Sequence, residues 1–315
     1  MTQADCELLT AQVTKPSKLL MIGLSAAVGV MATACSKTEA PSDPVANQTT
    51  QETTQTSSQQ PNQQEQSQDA TAQDAKPTEG KEIRIAAAAN LSDVLPEIID
   101  SYKADNNIPN QKIDVTFASS GKLVAQIEAG APYDIFLSAD QDFPAKLAGG
   151  MLKDKSMPFT YTQGQLTLYS TKHALTDFTP DSLKKLVTED SGNKFTIANP
   201  DLAPYGAAAK MYLSDQKAYD NLVAKKRLIQ AENIGQAFQY AHTGSVDYGF
   251  VALSQVKGVD APADKYYVLE QSAYPAILQD GIVVKEGKVA TDFTNYLLGA
   301  KGQDYFAKAG YLPLK

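Results

Sequence analysis

From Lys81 onward, short apolar runs take turns with helical patterns, and that alternation admits little besides sheets covered by helices, an α/β fold. Strands are predicted over 83–88, 113–117, 134–137, 166–169, 195–198, 248–251 and 282–284. Between them Val94, Leu95, Ile98, Ile99 and Tyr102 recur at helical spacing, with Ser92 placed as N-cap. Leu123, Val124 and Ile127 repeat that spacing until Gly130 and Pro132 stop it. Further helices are predicted over 206–214, 235–242 and 289–298.

The chain ahead of this region reads differently. Lys15 and Lys18 precede an apolar run at 19–34, which ends on Ala32-Thr33-Ala34-Cys35. A basic flank, a short apolar core and small residues at the cut are the layout of a secretory signal. Sixteen residues at helical rise reach roughly 24 Å, short of the ~30 Å of hydrocarbon in a bilayer. The small residues followed by cysteine resemble the lipobox of bacterial lipoproteins. That resemblance implies removal of 1–34 and acylation of Cys35, giving an exported protein held to a membrane by lipid. Residues 36–80 are rich in Gln, Thr, Ser, Asp and Pro, with Val45 as the one branched or large apolar residue. They bury too little surface to offset ordering entropy and are expected to form a disordered tether.

Cysteine usage agrees with export. Cys6 leaves with the signal and Cys35 carries lipid, so the globular region has no disulfide and no thiolate metal site. The formal net charge is −8, and Arg84 and Arg227 are the two arginines. That balance argues against a nucleic-acid surface. It also means that a bound anion would have to be held by neutral donors.

The sequence supplies such donors where strands hand over to helices. Ala89-Asn90-Leu91-Ser92, Ser119-Ser120-Gly121, Pro204-Tyr205-Gly206 and Asn233-Ile234-Gly235 all consist largely of small or amide residues. A helix N-terminus presents unpaired N–H groups with partial positive charge, and glycine or serine lets a ligand approach them. In an open α/β sheet these turns gather at the carboxyl edge of the strands.

The stretch Phe117-Ala118-Ser119-Ser120-Gly121-Lys122-Leu123, then Gln126 to Pro132, then Asp134 to Asp140, closely resembles the periplasmic molybdate-binding proteins of ABC transporters. Ala87 to Leu91, Asn199 to Gly206 and Tyr274-Pro275 are similar to the same family. The resemblance implies a two-lobed type II periplasmic binding fold, α/β in class, with the ligand cleft between discontinuous lobes. It places the first lobe at about 81–163 and 275–315 and the second at about 164–274. It further implies a molybdate or tungstate ligand and partnership with an ABC permease and ATPase. The implied protein is a monomer with no cofactor, no nucleic acid and no catalysis. Its ligand contacts fall on Asn90 and Ser120, each through backbone and side chain, and on the backbone of Tyr205 and Ile234. Many relatives use a tyrosine hydroxyl where this chain has Ala252, so the Tyr205 phenol is expected to take that place, with Tyr248 as second candidate.

Two other readings stay open. A different oxyanion, such as sulfate, would use the same fold. A secreted enzyme would need a base, and His173 and His242 are the only imidazoles, both in polar contexts. No Gly-x-Ser-x-Gly elbow is present, and Ser120-Gly121-Lys122 lacks the upstream glycine and the Ser/Thr of a phosphate loop.

Overall fold

The computed structural model describes residues 80–314. The predicted signal, Cys35 and all of the predicted tether but Gly80 lie outside the described residues. Ten strands build two sheets of five. The first takes β1 (Ile83–Ala88), β2 (Ile113–Ala118), β3 (Ile135–Leu137), β4 (Phe159–Gly164) and β10 (Ile277–Val283), in the order β2-β1-β3-β10-β4. The second takes β5 (Leu166–Tyr169), β6 (Phe195–Ala198), β7 (Leu228–Ala231), β8 (Tyr248–Ala252) and β9 (Tyr266–Val268), in the order β7-β6-β8-β5-β9.

Both sheets share one plan. β1 pairs parallel with β2 and β3, while β10 runs antiparallel to β3 and β4. Likewise β6 pairs parallel with β7 and β8, and β5 runs antiparallel to β8 and β9. Only Gln165 separates β4 from β5 where the chain first crosses between sheets, and 269–276 carry it back. The short, wholly buried runs of β6 and β8 follow from helices on both faces of a parallel sheet.

On one side of the first sheet, α1 (Val94–Asn106), α9 (Lys288–Leu298) and α10 (Ala300–Lys308) bury Leu95, Tyr102, Phe293 and Phe306. Tyr102 meets Phe293 edge-on at 5.3 Å between ring centres. On the other side lie α2 (Ser120–Glu128) and α3 (Asp142–Gly149). The second sheet is covered by α4 (Pro180–Thr188), α5 (Pro204–Asp215) and α6 (Tyr219–Ala224) against one core. Helices α7 (Ile234–His242) and α8 (Leu253–Gly258) contribute Phe238, Ala241 and Val256 to a second. Among the described residues no helix is long and apolar enough to cross a membrane.

Several elements differ from the sequence expectation. Ser92 does not cap α1. Residues Ala89–Leu91 form a 3-10 turn closed by Ser92, and Asp93 precedes the helix without a side-chain capping bond. Strands β4, β7 and β9 and helices α3, α4, α6, α8 and α10 were not expected. β4 reads Phe-Thr-Tyr-Thr-Gln-Gly, too polar for an apolar run, and β7 and β9 are short edge strands. β10 begins five residues earlier than its apolar end implies, because Gln279 and Asp280 sit buried in its middle beside a register shift. Gly130 does close α2, at φ +88°.

Candidate ligand-binding site

Four strands point their carboxyl ends at one place. β1 runs into the turn Ala89–Leu91, β2 into α2, β6 leads to α5, and β7 leads to α7. The ends of these elements line a single small pocket, which includes Asn90, Ser119, Ser120, Tyr205 and Ile234. All four residues predicted for the ligand site therefore share one cavity.

The pocket has no charged lining: no lysine, arginine, histidine or carboxylate borders it. What it offers instead are first-turn amides. Ser120 and Ile234 open α2 and α7, and Tyr205 is second in α5 behind Pro204, so their N–H groups have no intrahelical acceptor. Pro204 has no N–H to lose at that first position. The Ser120 hydroxyl accepts from the Ala139 N–H at 3.0 Å, which leaves its own proton to donate.

Ser119 was not predicted as a site residue. It is buried, lines the pocket, and its hydroxyl has no protein partner. The consecutive Ser119-Ser120 pair at a helix start was the available signal; choosing one of the two concealed the other.

Two side chains expected to reach the ligand are engaged by protein partners. The Tyr205 phenol does not end in the pocket. It reaches the close of β4, where a Cβ on Gly164 would stand 2.0 Å from its Oη, and Oη accepts from Gln279 Nε2 at 3.1 Å. Neither Gly164 nor Gln279 lines the cavity. Burial pushes the Tyr205 and Tyr161 phenols well above their ordinary range, so both stay protonated. The Asn90 side chain has its Nδ2 at 2.9 Å from both Gln279 Oε1 and Tyr311 Oη, while its buried Oδ1 has no partner. Tyr248 is also excluded, since its ring stacks on Phe195 and His173 at the opposite end of β8. Ala252 is fully buried, paired with Leu166, and does not line this pocket.

The two sides of the pocket meet directly. Gly121 N–H of α2 donates to Leu202 O at 2.9 Å, Ser254 Oγ of α8 donates to Asn90 O at 3.0 Å, and Lys122 pairs with Glu232. A Cβ on Gly121 would lie 3.0 Å from the Phe143 ring and 3.2 Å from Leu202 Cα. Glycine is what lets α2 come this close. Among the described residues no group of three His, Cys, Asp or Glu could hold a metal.

Two sheets joined by short crossings, with a buried cavity at the carboxyl ends of their strands, are the build of a protein that closes around a small solute. The chain belongs to the bacterial extracellular solute-binding protein family, whose profile matches residues 83–312. It is 33% identical over 239 residues to the molybdate-binding protein of Azotobacter vinelandii, covering 74% of this chain and 90% of that one. It is 31% identical over 241 residues to the molybdate-binding protein of Rhodobacter capsulatus, covering 76% and 91%. The solved periplasmic molybdate-binding protein of Azotobacter vinelandii superposes with a TM-score of 0.68 at 29% identity, covering 74% of this chain and all of that one. The two-lobed α/β architecture expected from the resemblance is the one observed.

Because α2 meets Leu202 through Gly121, with no room for a side chain, Gly121→Val is expected to hold the cleft ajar. Overpacking of this kind costs about 1–3 kcal/mol, so affinity for molybdate as probe should fall roughly 5- to 150-fold in calorimetry. Unchanged affinity would show that the contact between α2 and Leu202 plays no part in binding.

Proposed function

We propose that this protein captures molybdate, and with it tungstate, outside the cytoplasm and delivers it to the permease and ATPase of an ABC transporter. The observation that carries this reading is the convergence of first-turn N–H groups and serine hydroxyls in a buried cavity without any basic side chain. Neutral donors aimed at one point suit a compact oxyanion and solve the problem posed by the acidic chain. Asn90, Ser120, Tyr205 and Ile234 are the proposed ligand residues, with Ser119 added to them. The likeness to proteins named for molybdate supports that ion over sulfate, which would use the same kind of donor. No cofactor and no catalytic step enter this reading. His173 and His242 lie outside the pocket.

The same reading includes export and a lipid anchor at Cys35, on the strength of the small residues that precede that cysteine, and monomeric action on the strength of the resemblance alone.

Calorimetry should give tight binding of molybdate and tungstate and far weaker binding of sulfate, with little loss in high salt, because desolvated donors are screened less than exposed lysines. Comparable affinity for sulfate would remove the molybdate assignment, and a steep salt dependence would point to surface cations. Cys35→Ser should leave oxyanion affinity intact while moving the protein out of the membrane fraction. Unchanged fractionation would refute lipidation.

A further inference from the structure

No charged side chain lines the pocket, but the segments that form it carry charge just outside. Residues 88–93, 118–123, 138–140, 199–206 and 231–236 supply its lining. Their charged residues are Asp93, Lys122, Asp140, Asp201 and Glu232. Lys122 is therefore the one cation in these segments, against four carboxylates. It is the third residue of α2, on the wall built on the first sheet. The wall built on the second sheet carries Asp201 and Glu232 and no base.

The lysine is paired across the cleft. Lys122 follows the pocket residue Ser120 by two positions, Glu232 precedes the pocket residue Ile234 by two, and their side chains form an ion pair. Both side chains are about half exposed, 49% and 48%, so the pair does little for stability. Its consequence is for an open cleft. A pair held from two walls lasts only while the walls meet. Once they part, α2 presents an uncompensated positive charge beside the Ser119 and Ser120 donors, on a chain whose formal net charge is −8. An approaching dianion is repelled by the chain as a whole and attracted at that place.

We propose that Lys122 is a steering residue, which draws the oxyanion onto the first-sheet wall of the open cleft and is neutralised by Glu232 when the second wall closes. This rests on the oxyanion reading above and adds how the ion enters. The lysine acts on the encounter, whereas the bound ion is left to neutral donors. Attraction of this kind is screened by salt and alters association rates more than affinity.

The test is stopped-flow mixing of the full-length protein with molybdate, read by tyrosine fluorescence, since the chain has no tryptophan. It is run at roughly 10 mM and roughly 1 M sodium chloride, where charges reach about 30 Å and about 3 Å. At low salt Lys122→Gln should slow association roughly 5-fold, the worth of one charge acting on a dianion across several ångströms of water. At high salt it should match the wild type. Lys122→Arg keeps the charge and should associate normally at both. Glu232→Gln should associate at least as fast as the wild type, because the lysine stays and a carboxylate leaves. A pair that only braces the closed form predicts something else. Both glutamine variants lose the same bond, so they would share one change in dissociation with association untouched, and that result overturns the steering role. A Lys122→Gln defect that persists at high salt overturns it too. If the wild type binds no molybdate, the molybdate reading falls and the inference with it. If the wild type binds and Lys122→Gln associates normally at low salt, the inference alone falls.

Discussion

The unpaired N–H groups at the first turns of helices govern this structure. An α-helix leaves its leading amides without internal acceptors, and burying them unpaired is costly. Here the first turns of α2, α5 and α7, together with the 3-10 turn after β1, border the same small cavity. A ligand that accepts from all of them relieves that deficit on both walls at once. Binding and closure are thereby one event, because the donors belong to two sheets that only short crossings connect.

Much else follows from bringing those turns together. Gly121 must lack a side chain so that α2 can reach Leu202, and Gly164 must lack one so that the Tyr205 ring can run under the crossing from β4 to β5. Gly206 is bound to the same logic, since a Cβ there would stand 2.2 Å from Ala198 O at the end of β6. The exposed ion pair of Lys122 with Glu232 spans the same boundary, but pairs of that kind add at most about 1 kcal/mol. Backbone approach sets the geometry, and surface charge adjusts it.

The turns were legible in the sequence because each announces itself through serine, asparagine or glycine at a strand end. Their gathering in one pocket follows from parallel pairing of the strands that feed them. The direction of the Tyr205 phenol was not legible, because it depends on Gly164 and Gln279, 41 and 74 positions away in the chain. β10 escaped for a related reason. Its buried Gln279 and Asp280 break the apolar pattern, and Gln279 does so to serve the network behind the pocket. Local rules fail where a site imposes its own chemistry. Ser119 was missed for a smaller reason: a serine before a helix is ordinarily an N-cap, but here its hydroxyl makes no capping bond.

The most direct measurement is a crystal structure of the protein with tungstate, the metal located by its anomalous scattering. The account predicts one ion in the pocket, its oxygens accepting from the N–H groups of Ser120, Tyr205 and Ile234 and from serine hydroxyls, with no lysine or arginine in reach. An ion seated against surface lysines, or in the neighbouring groove beside Asp140, would contradict it.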